Sequence, residues 1–350
     1  MRNEEYLRLW GNPRSYSLGT KAVMADRQIK RGLDNGKVLL QDIGNTKAIV
    51  KYVPTGKWFL ISGGWGNDKQ GTAMMGAVCG DVAGSVYEHN NIKYKPDANR
   101  LIQRHARFTD DTVMTCAVAD GLRRGLEYLG KDWYDNPESE SVIFRALEKS
   151  LQNYGNMFPD AGYGRSFRKW LKSSEPKPYN SWGNGSAMRA SYAGWIAMNL
   201  QEAERLGEIS ASITHNHPEG IKGAKIIAGC ILLLRNGESK QAVKEYVKQY
   251  YNLDFTLDSI RNDYRFDVSC QGSVPQAIEA FLEGESFTDV IANAISIGGD
   301  SDTIAAIAGG IAEVIYPIPQ GLRGRVIDRI DNYLLNTIVE AVDFMYRRLP

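Results

Sequence analysis

Thr112-Val113-Met114-Thr115-Cys116-Ala117-Val118-Ala119-Asp120-Gly121-Leu122-Arg123-Arg124-Gly125-Leu126 decides the fold class. Its apolar residues Val113, Met114, Ala117, Val118, Leu122 and Leu126 return every three or four positions, the rhythm of one buried helix face. Outward from there, Ile221 to Leu234 and Ile304 to Ile315 are apolar almost all round, as helices inside a larger bundle are. The tail from Leu322 to Tyr346 repeats the amphipathic rhythm through Val326, Ile330, Leu334, Ile338, Val342 and Met345. No repeat of fixed period and no low-complexity tract is present. Residues 71–350 therefore read as an all-α domain.

Residues 1–70 read differently. Lys37 to Ile43, Lys47 to Val53 and Lys57 to Ile61 are short β-branched or aromatic runs, separated by Asp42-Ile43-Gly44-Asn45 and Pro54-Thr55-Gly56 turn chemistry. This predicts a small strand-rich N-terminal extension. A polar, mobile stretch over residues 1–30 precedes it, and Gly63-Gly64-Trp65-Gly66-Asn67 forms a junction after it.

The chain has 350 residues, 43% hydrophobic and 24% charged, enough for one large domain or two smaller ones. Its 42 Lys and Arg against 41 Asp and Glu leave a formal charge of +1, so no global field draws it to nucleic acid or to an acidic membrane. Cys79, Cys116, Cys230 and Cys270 lie far apart with no CxxC pair, which predicts buried reduced thiols and no disulfide framework. The start, Met-Arg-Asn-Glu-Glu-Tyr, lacks the pattern of a secretory signal, and no apolar run reaches membrane-spanning length. The expectation is a cytoplasmic protein without nucleic-acid or membrane partners.

Two acidic helix starts carry the chemistry. Phe108-Thr109-Asp110-Asp111-Thr112 opens the helix quoted first, and Ser296-Ile297-Gly298-Gly299-Asp300-Ser301-Asp302-Thr303 precedes a wholly apolar one. Thr and Asp are good N-caps, so either segment alone is explained by capping. One cap needs one side-chain oxygen, however, and paired carboxylates at the mouth of a buried helix are costly unless a cation balances them. If the two starts converge, Thr109, Asp110, Asp111, Asp300, Asp302 and Thr303 supply six hard oxygen ligands, enough for two magnesium or manganese ions.

Three further segments accompany them. Gly76, Gly80 and Gly84 recur every four residues and line one helix face for close packing, with Asp81 as a buried hydrogen-bond partner and Glu88 just beyond, free to face a cleft. Gly183-Asn184-Gly185-Ser186 forms a loop whose amides can approach an anion, or a simple turn. Thr214-His215-Asn216-His217-Pro218 holds two of the four His, too few for zinc; packing or substrate contact is the better reading.

In order along residues 71–320, these five segments resemble the ADP-ribosylglycohydrolase family. The resemblance implies an orthogonal all-α bundle around a binuclear magnesium or manganese centre. It implies that Thr109, Asp110 and Asp111 are metal ligands from one side and Asp300, Asp302 and Thr303 from the other. Gly183, Asn184, Gly185 and Ser186 would hold the phosphates and distal ribose of ADP-ribose, and His215 would contact or position substrate. Glu88 matches a glutamate that gates the cleft in some members, and Asp111 or Asp302 would accept the proton of the attacking water. The substrate implied is an ADP-ribosylated protein, arginine-linked in the first reading and serine-linked or another ADP-ribosyl compound in the second. A third reading is an immunity protein, an antitoxin whose residues 1–70 capture a cognate ADP-ribosyltransferase toxin. Nothing in the family's common core matches those residues.

Overall fold

The computed structural model describes residues 73–349, apart from positions 131, 132, 135 and 137, together with the backbone of three strands. The strands β1 (Val38–Ile43), β2 (Lys47–Tyr52) and β3 (Lys57–Ser62) pair antiparallel in the order β1-β2-β3, as the three apolar runs predict. Val38 faces Tyr52 in the first ladder and Lys47 faces Ser62 in the second, with a register shift between Leu40 and Asp42. The mobile stretch over residues 1–30 and the junction at Gly63 to Asn67 lie outside the described residues.

From residue 73 the described chain is helical: α1 (Met75–Gly84), α2 (Asp110–Leu129), α3 (Ser139–Met157), α4 (Arg165–Leu171), α5 (Ser191–Ile196), α6 (Leu200–Ser212), α7 (Pro218–Arg235), α8 (Lys240–Lys248), α9 (Leu257–Ile260), α10 (Cys270–Glu283), α11 (Phe287–Ser296), α12 (Ser301–Ala312), α13 (Gln320–Ile327) and α14 (Asn332–Arg348). The all-α reading of this region holds. Ala73 to Pro317 and the chain from Ala341 onward form one compact unit, while the strand region and Ile318 to Glu340 fall in a second. Every residue of the candidate site belongs to the first unit.

The centre of that unit is the pairing of α1 with α12, both buried along their whole length. Glycine makes the pairing possible. A Cβ on Gly76 would stand 2.2 Å from Gly309 O, one on Gly80 2.0 Å from Ala305 O, and one on Gly84 2.4 Å from Asp302 Cα. The order of these contacts shows that the helices run antiparallel. The same approach draws the start of α12, with its two aspartates, against the end of α1.

Two boundaries differ from the sequence reading. The apolar run through Ile315 stops being helical at Ala312, and Ile315 is exposed. The tail is also two helices, not one. Asp331 caps the second: its carboxylate accepts from Tyr333 N at 2.7 Å and its carbonyl from Leu335 N at 3.0 Å. A new N-terminus thus interrupts an apolar rhythm that passes through it unbroken. All four cysteines are buried and outside any disulfide, as expected. No helix among the described residues is long and apolar enough to cross a membrane.

Candidate metal centre and cleft

Asp81 anchors the site from within. It is fully buried on α1 and accepts from Thr109 N at 2.9 Å, Thr109 Oγ1 at 2.7 Å, Thr112 N at 3.1 Å and the Thr112 hydroxyl. An acid of α1 thus satisfies free donors at the first turn of α2, a task usually left to the cap residue itself. Thr109 still caps weakly, its hydroxyl 3.4 Å from Asp111 N. Capping and site-building therefore coexist in one segment, and Asp110 and Asp111 are left to face elsewhere.

From the other side, Gly298 and Gly299 turn the chain at φ +67° and +78°, where glycine is favoured, and deliver Asp300, Asp302 and Thr303 to the same place. Thr303 Oγ1 donates to Asp111 Oδ2 at 3.1 Å. Asn184, in a short 3₁₀ turn at Asn184–Ser186, donates to Asp300 Oδ2 at 2.7 Å and to Ser273 Oγ at 3.0 Å. Oxygens of Asp81, Asp111 and Asp302 lie within 4.8 Å of one another, as do those of Glu88, Asp300 and Asp302. Asp302 belongs to both groupings.

This chemistry is suited to a hard cation. The ligand atoms are all oxygen, and no Lys or Arg pairs with Asp81, Asp110, Asp111, Asp300 or Asp302 among the described residues. Asp111 Oδ1 is buried with no hydrogen-bond partner, an acceptor left open. Burial, reinforced by the neighbouring Asp81, raises Asp110 from its ordinary value of 3.8 to about 7. Burial and the surrounding carboxylates hold Asp111 and Asp302 well above the usual carboxylate range. Asp300 and Asp81 are raised by burial as well, against the opposing hydrogen bonds of Asn184 and of Thr109 and Thr112. Without a cation the cluster holds protons; with one, it can release them.

The carboxylates open onto a cleft of about 460 Å³ that Glu88, Asp110, Asp111, Asp300, Asp302, Thr303, Gly183, Asn184, Gly185 and His215 line together. That size falls within the range of roughly 300–1,000 Å³ usual for small-molecule sites. Glu88 stands past the end of α1 with its side chain 29% exposed. Thr109 and Ser186 do not line the cleft. The Thr109 hydroxyl is turned to Asp81, and Ser186 Oγ donates to Gly220 O at 2.7 Å. A depression of similar volume lies between α3 and α6, but of its charges, Glu140, Arg205 and Glu208 already pair with one another and Arg145 donates to Ser141 O.

His215 is packed into the cleft wall. Arg189 Nη2 donates to Thr214 Oγ1 at 2.8 Å, and that oxygen lies 2.6 Å from His215 Nδ1. Burial, with the Arg189 charge adding to it, holds His215 well below its ordinary value, so the ring is neutral. A Cβ on Gly185 would stand 3.2 Å from His215 Nε2, so the glycine loop lies directly against the ring. His217 is not a second ligand: its Nδ1 accepts from Glu219 N at 3.1 Å and caps α7.

Sequence reasoning missed several contributors. Asp81 was legible as a buried acid in an apolar helix but not as the residue that organises the first turn of α2. Asn91 and Lys93 had no signal at all. Asn91 Oδ1 accepts from Gly299 N while its Nδ2 donates to Glu88 O at 2.8 Å, and Lys93 Nζ donates to Ile297 O at 2.5 Å and Tyr264 O at 2.6 Å. Phe266 and Val268, both half exposed, also line the cleft.

Comparison with known proteins identifies the family. The chain is 24% identical over 322 residues to ADP-ribosylhydrolase ARH3 of Homo sapiens, covering 71% of this chain and 85% of that protein. It is 24% identical over 275 residues to ADP-ribosylarginine hydrolase Tri1 of Pseudomonas putida, covering 72% and 71%. A solved ADP-ribosylglycohydrolase-related protein complex shares the fold, with a TM-score of 0.57 at 19% identity over 79% of this chain and 96% of that one. The ADP-ribosylglycohydrolase family model matches residues 67–345, and the chain belongs to that family.

Proposed function

We propose that this protein hydrolyses the bond between ADP-ribose and a modified arginine of a protein, using two divalent cations, magnesium or manganese, held by Asp110, Asp111, Asp300, Asp302 and Thr303, and by the Thr109 hydroxyl, whose proton goes to Asp81 and leaves an oxygen lone pair to a cation. The observation that carries the reading is the pair of carboxylate groupings joined at Asp302, whose Glu88, Asp111, Asp300 and Asp302 line a cleft that also presents Gly183, Asn184, Gly185 and His215. Bound cations would supply electrostatic stabilisation and orientation at the ribose.

The chain's own residues account for the rest. The glycine loop and the neutral His215 bind and orient the ADP-ribose. Asp111 or Asp302, both lining the cleft, accepts the proton of the attacking water. Glu88, at the rim and partly solvated, is placed to pair with the guanidinium of the modified arginine, whose planar fork matches a carboxylate. A serine hydroxyl offers no such cation, which favours the arginine linkage, as does the similarity to the ADP-ribosylarginine hydrolase of P. putida. Four buried thiols outside any disulfide support a reducing, cytoplasmic setting.

The test is release of ADP-ribose from arginine-modified and serine-modified proteins in magnesium, with and without chelator. The expected result is chelator-sensitive release from the arginine substrate. Release from the serine substrate alone would overturn the linkage, and release unaffected by chelator would overturn the cation requirement.

A further inference from the structure

We propose that Arg165, Arg168, Lys169 and Lys172 form a docking strip for an acidic segment of the modified protein, beside the mouth of the cleft. The inference rests on the hydrolase reading for its partner and on the geometry of α4 for its site. These residues are spaced i, i+3, i+4 and i+7, so they share one face of α4 and its C-cap and span roughly 10 Å. All four are exposed, and none makes a side-chain hydrogen bond or ion pair among the described residues. Most other cations of this unit are neutralised; Lys95, Arg123, Arg124, Arg205, Lys222 and Arg347 each meet a carboxylate.

Helix stability does not explain the strip. Arg165 occupies the first position of α4, where a cation opposes the helix dipole. Arg165 with Lys169, and Arg168 with Lys172, are like charges at i, i+4 and repel. With a net charge of only +1 on the whole chain, this concentration is local. An external anion would remove the repulsion.

The strip is continuous with the site. Arg165 lines the cleft and also a neighbouring depression of about 330 Å³, which it shares with Tyr163, Arg168, Lys169 and Lys172. A second depression of about 410 Å³, lined by Arg168 and Lys172, shares Gly162 with the cleft; Asp160 is the one acid on its wall. What leaves the cleft mouth when ADP-ribose is bound is the polypeptide that carries it. In an extended segment, acids two residues apart stand roughly 6–7 Å from each other, so two of them match the strip. The aromatic residues interleaved with these cations, Tyr163, Phe167 and Trp170, are all buried. With Tyr163 only 2% and Phe167 only 8% exposed where they edge the depressions and the cleft, charge outweighs stacking surface on the strip, which favours carboxylates over unpaired bases.

The test uses the full chain with Arg168, Lys169 and Lys172 all changed to Glu, and a second variant with the same three changed to Gln; Arg165 is left intact because it lines the cleft. Binding of a fluorescent glutamate-rich peptide is measured at low and high salt, beside a single-stranded oligonucleotide of equal charge. Hydrolysis of a small ADP-ribosylated guanidine is compared with that of an arginine-modified protein bearing an acidic flank. The proposal expects the Glu variant to lose about tenfold or more in peptide affinity and the Gln variant less, with salt erasing the difference. It also expects KM for the modified protein to rise in both variants while the small substrate is turned over as before. Equal peptide binding by wild type and the Glu variant would overturn the strip, and tighter strip-dependent binding of the oligonucleotide would assign it to nucleic acid instead. If wild type hydrolyses neither substrate, the linkage reading fails, while the peptide measurement still decides the strip.

Discussion

The Thr303 hydroxyl donates to Asp111 Oδ2 at 3.1 Å, joining two helix starts separated by 192 residues. It satisfies one oxygen of Asp111 and leaves the other, Oδ1, buried and open. Such a cluster lowers the stability of the metal-free fold, because buried like charges must either repel or hold protons. Asp302, common to both carboxylate groupings, concentrates this effect. Asp302→Asn should therefore melt at a higher temperature than wild type in chelator and at a lower one in magnesium. ADP-ribose release should fall on the order of a hundredfold or more. Thermal unfolding with and without metal checks it; a variant stabilised by magnesium as strongly as wild type would sink the idea.

The raised carboxylates fix a pH dependence of known sign. Asp110 ionises near 3.8 in the unfolded chain and at about 7 in the folded one. Between those values the folded state binds more protons, so metal-free stability falls as pH rises from about 4 to about 7. A divalent cation needs the deprotonated form, so its stabilisation grows over the same interval. Melting temperatures in chelator should decline from pH 5 to pH 7.5, and the increment from added magnesium should widen. Asp110→Asn should flatten the decline in chelator. A metal increment independent of pH would show that these carboxylates do not titrate on binding.

The parts of this site that the sequence reveals are those whose causes are local. Thr109 to Thr112 and Asp300 to Thr303 show as helix starts because capping chemistry and apolar rhythm act within one turn. Their convergence was inferred from an excess of carboxylates over what capping needs. The break in the tail did not show because its apolar period continues past Ile327, and the Asp331 cap resembles any surface acid. Asn91 and Lys93 were invisible for another reason. Their partners Gly299 and Ile297 lie 208 and 204 residues away, and no local pattern marks a polar side chain for such a contact.

The α1–α12 contact links packing to the site. A Cβ on Gly84 would stand 2.4 Å from Asp302 Cα and 2.5 Å from Ser301 O, and backbone cannot yield as a side chain can. Gly84→Ala should push the start of α12 away and carry Asp302 with it. A loss of about 1–3 kcal/mol is expected, as for other overpacked interiors, with weaker magnesium binding besides. Gly130→Ala is the control: nothing lies within 4 Å of that position, and only the strain of its φ of +80° is at stake. Denaturant unfolding and metal titration of the two variants separate the effects. Equal loss of metal affinity in both would argue against the packing route.

Asn91 holds the two halves of the second carboxylate grouping in register. Its Nδ2 donates to Tyr87 O at 3.0 Å and Glu88 O at 2.8 Å, while its Oδ1 accepts from Gly299 N, one residue before Asp300. The amide therefore fixes the distance between the segment carrying Glu88 and the turn carrying Asp300, although it contributes no ligand atom to either grouping. Asn91→Ala should leave helix content unchanged and weaken magnesium binding about 10- to 100-fold, the range for residues that orient ligands from outside. Asn91→Asp is the sharper probe. It keeps the acceptor for Gly299 N but loses the donor to Glu88 O, so it should restore part of the affinity only if the Gly299 bond dominates. Affinity measured by calorimetry, against melting temperature in chelator, distinguishes positioning from bulk stability. Wild-type affinity in Asn91→Ala would mean that Lys93 and the glycine turn hold the segment unaided.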